Sequence, residues 1–246
     1  MTVDPHRRML MNARVRNICA LGGPAALIVT LIGWAIAGML PVPLSPSASA
    51  EEVMRFYTED PTRVMIGFVT ASVGVALMLP MLALISMHML RMEGRTPLLT
   101  FVQLIAAAVT VIINTIPQML FALMAFRSDR DPQTLQLMND ITWMILFTPI
   151  MPFIIQNVAI GTAVLSDKHA IFPRWSGYLN LWVAFAFVPD VLAYFFLSGP
   201  FAWNGIFVFW LALGAYGAFL VGMCFAVRQA NSTLDAALGE PARATA

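Results

Sequence analysis

Residues 98–126 read LLTFVQLIAAAVTVIINTIPQMLFALMAF and contain no charged side chain. A helix rises about 1.5 Å per residue, so this stretch more than covers the roughly 30 Å hydrocarbon core of a bilayer. Gln103, Thr110, Asn114 and Gln118 interrupt it at intervals of seven, four and four, which places all four within an arc of roughly 80° on a helix. One stripe is polar and the rest is apolar. Pro117 lies inside the stripe, where it cannot donate to the carbonyl one turn earlier and distorts the helix.

The remainder of the chain has the same character. Of 246 residues, 59% are apolar and 11% charged, far from the balance of a soluble domain. The expected fold is all-α, a polytopic transmembrane bundle of six helices. Its spans fall at about 18–40, 61–91, 98–126, 139–165, 175–197 and 201–227. A basic N-terminus, 1–17, precedes a membrane domain, 18–230, and a polar, alanine-rich tail, 231–246, reads as a frayed, disordered end. The apolar run from Ile18 to Leu40 exceeds the usual signal-peptide core and is expected to remain as the first span.

Between the first two spans, Pro41 to Ala50 reads as a loop and Glu51 to Thr58 as a short amphipathic helix lying on the external membrane surface. Ser49 and Glu52 have the spacing of a capping box. Asp60-Pro61 and Asp131-Pro132 supply a cap and a first helical residue for the second and fourth helices. Trp143, Trp175, Tyr178 and Trp203 fall near expected span ends, as interfacial anchors do.

Charge sets the expected orientation. The N-terminus, the 91–97 loop, the 166–174 loop and the C-terminus carry ten of the 14 Lys and Arg residues. The opposite loops hold Arg55, Arg63, Arg127 and Arg130, outnumbered there by Glu51, Glu52, Glu59, Asp60, Asp129 and Asp131. The positive-inside rule then puts both termini in the cytoplasm. On that side Cys19 and Cys224 are expected as reduced thiols.

Hydrocarbon supplies no hydrogen-bond partners, so intramembrane amides should face one another. Gln103, Asn114 and Gln118 have candidate partners in Gln156 and Asn157, Asn180, and Asn204. They either tie helices together or line a polar cavity among spans three to six that holds a ligand. Asp190 follows Pro189 inside the fifth span, with Tyr194 one turn on as a candidate partner. A carboxyl at that depth is expensive and points to proton or ligand handling.

Other constellations say less. His88 and Met92 could hold a soft metal, yet methionine is also an ordinary helix former, and no metal or cofactor is expected. Gly214, Ala218 and Gly222 form a small-residue stripe for close helix packing, within the bundle, between copies, or with a membrane-complex partner. The only lysine, Lys168, lies in a loop, which excludes a retinal Schiff base, and three histidines cannot build bis-histidine haem within the spans. HExxH, Walker and GxSxG motifs are absent, and a net charge of +1 gives no reason to expect nucleic acid.

Phe172-Pro173-Arg174-Trp175-Ser176-Gly177-Tyr178, opening the fifth span, and the turn Ser198-Gly199-Pro200-Phe201-Ala202-Trp203-Asn204-Gly205 carry a resemblance. With the basic N-terminus and the acid-capped second span, the layout resembles a family of bacterial six-span membrane proteins catalogued only as a domain of unknown function. The resemblance implies that fold and a bacterial inner membrane, and no catalytic residue. The leading expectation is binding or transport of a small apolar or amphipathic molecule at Gln103, Asn114, Gln118, Gln156, Asn157, Asn180, Asp190, Tyr194 and Asn204. A structural or accessory subunit is the alternative. A cofactor-free intramembrane enzyme ranks third, because no second titratable group accompanies Asp190.

Overall fold

The computed structural model describes residues 13–127 and 129–237, and the basic residues Arg7 and Arg8 lie outside that range. Among the described residues there is no strand, and six helical stretches are long and apolar enough to cross a membrane. The first span joins α1 (Ala13–Ala20) to α2 (Gly22–Ala37), and α3 (Ala50–Thr58) follows. The second joins α4 (Pro61–Ala76) to α5 (Leu79–Glu93), and the third is α6 (Leu98–Phe126) without a break. The fourth joins α7 (Pro132–Phe147) to α8 (Met151–Ser166). The fifth runs from α9 (Arg174–Ala186) into a 3-10 helix, Val188–Phe195, and the sixth from a π-helical turn, Ile206–Trp210, into α10 (Leu211–Ala237).

Local sequence chemistry sets these limits. Ser49 caps α3 with a reciprocal capping box to Glu52. Asp60 and Asp131 accept from the backbone N–H groups of Arg63 and Thr134. The Thr134 hydroxyl and amide also hold the Asp131 carboxyl below its ordinary range. The α6 N-terminus is capped from the preceding span, where the Glu93 carboxylate accepts from the Leu99 and Thr100 N–H groups.

Proline accounts for the breaks in the second, fourth and fifth spans. Pro80, Pro152 and Pro189 each sit in the first turn of the segment after a break, where no intrahelical N–H is needed. Pro117 is instead absorbed within α6.

Successive spans alternate in direction. One end of the bundle, the terminal end, gathers Ala13, Glu93, Leu98, Ser166, Arg174 and Ala237. The far end gathers the connections 38–60, 127–131 and 196–205. The first and second spans make the most extensive contact, followed by α8 with α9 and α6 with α4. Large apolar side chains face outward all around the bundle, among them Phe195 at 74% and Trp182 and Phe185 at 69% exposure. That surface suits lipid and not water.

Several expectations need correction. Residues 231–237 are not a frayed tail. They continue α10, with Asn231 and Asp235 buried, while the residues from 238 on lie outside the described range. Trp143 and Trp203 are not interfacial anchors. They stack at 5.9 Å in a buried aromatic core, and the Trp203 indole donates to the Leu44 carbonyl. Trp175 and Tyr178 are exposed near the terminal end. The small-residue stripe is divided: a Cβ on Gly222 would meet Leu179 of the fifth span at 2.3 Å, whereas Gly214 has nothing within 4 Å.

Candidate functional site

Five of the spans depart from regular α-helix, and four of them do so at one cavity; the break in the first span, at Leu21, lies outside it. Val75 and Met78 border the break in the second span, Pro149 and Ile150 lie in that of the fourth, Phe187 and Asp190 flank the start of the 3-10 segment, and Phe209 belongs to the π turn. The first and third spans complete the wall, through Thr30 and Trp34 and through Thr110, Asn114 and Gln118. The cavity leaves about 70 Å³ for the centres of water molecules, room for several waters or one slender organic molecule. Its walls are mainly aliphatic and aromatic. The expected polar-lined chamber among spans three to six is therefore an apolar chamber among all six, with a few polar groups.

The polar groups are arranged unequally. The Trp34 indole donates to Gln118 Oε1 at 2.9 Å, which ties the first span to the third. The Thr110 hydroxyl donates to the Ala106 carbonyl, and Asn114 Nδ2 donates to the Thr110 carbonyl, both at 2.9 Å. Gln118 Nε2 reaches the Asn114 carbonyl at 3.4 Å. Ile113, whose carbonyl lies one turn before Pro117 and loses that partner, also lines the cavity.

Asp190 stands apart. It is 0% exposed, and neither carboxyl oxygen has a hydrogen-bond partner among the described residues. Its backbone N–H is bonded to the Phe187 carbonyl at 3.2 Å, which holds the residue at the start of the 3-10 turn. No lysine or arginine lines the cavity. A carboxyl in such surroundings has no counter-charge in the cavity wall, so a molecule that donates to it or carries positive charge would gain strongly.

Of the nine residues expected at the site, Asn114, Gln118 and Asp190 line this cavity. Gln103, Gln156, Asn157 and Asn180 are buried elsewhere in the bundle. Gln103 accepts from Ser86 at 2.6 Å, Asn157 donates to the Phe153 carbonyl, and Asn180 donates to the Ser176 carbonyl and to Met223 Sδ. Both polar atoms of the Gln156 side chain are unpartnered among the described residues.

Tyr194 is not the partner of Asp190. It is 61% exposed, and its hydroxyl is hydrogen-bonded to that of Thr148 at 2.7 Å, because the 3-10 segment turns 3.0 residues per turn and rotates it away. Asn204 belongs to the far-end turn, beside a surface depression that Glu52 and Phe56 also line.

Sequence reasoning missed Trp34, Phe153, Phe187, Phe209 and Tyr216, the rings that form much of the cavity wall. Phe153 meets Phe187 edge-on at 4.7 Å and Tyr216 at 5.5 Å. In an apolar span a ring toward a cavity and a ring toward lipid look alike in the sequence. The one usable signal is proximity to a proline, as for Phe153 after Pro152 and Phe187 before Pro189. Among the described residues, no group of three or more His, Cys, Asp or Glu side chains could hold a metal ion. No family model, no curated protein and no solved structure matches this chain.

Proposed function

We propose that the protein binds a small, largely apolar or amphipathic molecule in the six-span cavity and carries it across the membrane. The observation that supports this reading is the coincidence of four of the five helix irregularities with an apolar chamber into which an unpartnered carboxyl is built. Irregular backbone at membrane depth is tolerated where it lines a cavity, and broken helices pivot readily. The proposed setting is a bacterial cytoplasmic membrane with both termini inside and α3 on the outer surface, from the arginine distribution. Membership of the six-span family of unknown function belongs to the same proposal.

The test fills the chamber. Leu213 lines it from the sixth span and is partly buried. Naphthalene should raise the melting temperature of the purified protein in lipid nanodiscs, and Leu213→Trp should abolish that rise while the variant still unfolds cooperatively. Equal naphthalene stabilisation of both proteins, or of neither, overturns the reading. The accessory-subunit reading draws on Gly214 and Ala218, which face outward on α10. It predicts that the protein co-purifies with a larger complex and that Asp190→Asn changes nothing measurable.

A further inference from the structure

The polar groups of the cavity differ in what they still have to offer. Hydrogen-bond donors there are largely committed: the Thr110 hydroxyl and one N–H each of Asn114 and Gln118 point to carbonyls of their own helix. The Trp34 indole is used on Gln118, and the Tyr216 hydroxyl donates to Met78 Sδ at 3.2 Å. The two Asp190 oxygens, by contrast, are acceptors with no donor among the described residues. A chamber whose donors are largely committed and whose open carboxyl has no partner favours a ligand that donates or carries positive charge, since a cation beside Asp190 would itself stabilise the ionised carboxylate.

The rings add a second preference of the same sign. Trp34, Phe153, Phe187, Phe209 and Tyr216 all border the space that Asp190 borders. Aromatic faces attract cations, most strongly where water is excluded. Carboxyl and rings together match an ammonium group that carries apolar substituents. A neutral hydrocarbon would fill the space yet leave Asp190 without a partner.

We infer that the ligand of this cavity is a lipophilic monocation, an amine or quaternary ammonium whose charged nitrogen rests beside Asp190 and whose apolar body lies among the rings. This inference presupposes the ligand-binding reading above and adds the charge of the ligand.

Two probes of equal shape isolate the charge: benzyltrimethylammonium and its carbon isostere neopentylbenzene. Both are titrated against the full chain in nanodiscs of zwitterionic lipid, with empty nanodiscs as the blank. The cation should bind at least about tenfold tighter than the isostere, the ratio that a single desolvated charge contact supplies. Asp190→Asn should bring that ratio close to one. Phe153→Leu, which keeps an apolar side chain and removes a π face, should reduce it several-fold and keeps the test open should the Asp190 variant fail to fold. Should the isostere bind as tightly as the cation, the monocation inference is overturned and apolar binding stands. Binding of neither probe, together with no effect of naphthalene, removes the ligand-binding reading itself.

Discussion

Arg16 shows how much one residue can hold. Its guanidinium is 2% exposed and forms an ion pair with Asp235, which joins the start of the first span to the end of the sixth. Beside it, Arg91 can only donate, so His88 Nδ1 accepts at 3.0 Å, which leaves the ring proton on Nε2 to donate to Asn231 Oδ1 at 2.9 Å. Asn231 Nδ2 in turn donates to Asn17. His88 is thus engaged on both nitrogens as part of a lock at the terminal end. Removing one partner of a buried ion pair leaves the other charge uncompensated. Asp235→Ala is therefore expected to lower stability by about 3 kcal/mol, read by denaturant unfolding in mixed micelles, and the exchanged pair Arg16→Asp with Asp235→Arg should restore part of it.

At the scale of elements, the closest packing in the bundle depends on glycine. A Cβ on Gly33 would lie 2.5 Å from the Ala71 nitrogen and the Gly67 carbonyl oxygen, and one on Gly67 would lie 2.5 Å from the Ala37 nitrogen. Gly74 meets Thr30 in the same way. Two small-xxx-small pairs, Gly33 with Ala37 and Gly67 with Ala71, let the first two spans touch backbone to backbone. The obstructing atoms are main chain, so a larger residue cannot be accommodated by a change of rotamer. Gly67→Val should destabilise by about 3 kcal/mol, whereas Gly214→Val should stay within about 0.5 kcal/mol. Thermal unfolding of the two variants side by side checks both. This seam also anchors the cavity wall, because Thr30 and Trp34 project from the helix it fixes.

For the molecule as a whole, a polar network closes the terminal end, and an apolar chamber with one buried carboxyl reaches from the middle of the spans toward the far end. The terminal end carries the Arg16–Asp235 and His88–Asn231 contacts, and the chamber with Asp190 lies beyond them. A transporter needs the chamber open to each side in turn, and the terminal-end lock is the set of contacts that would have to part for access from that side. Orientation can be read by cysteine labelling on a background lacking Cys19 and Cys224. Ser47→Cys, in the far-end loop, should react with a membrane-impermeant maleimide on intact spheroplasts, and Lys168→Cys should react only after permeabilisation. The opposite pattern would invert the topology.

Composition by itself determined the membrane character and the six spans. The physical reason is that hydrocarbon excludes charge over about 20 residues at a time, and any chain that satisfies it displays that constraint residue by residue. The Asp-Pro and Ser-Glu start signals were legible for the same reason: a cap and its helix are neighbours in sequence. Tertiary structure alone decided which polar residues meet. Gln103 shares the stripe of unbroken α6 but lies about two turns nearer the terminal end than Thr110, beyond the chamber, while in the spans that carry Gln156, Asn157 and Asn180 the helix breaks at Thr148 and Phe187 change the rotation of each half-span. A small rotation transfers a side chain from chamber to helix seam, and in a medium as apolar as the side chains themselves the hydrophobic pattern carries no record of it.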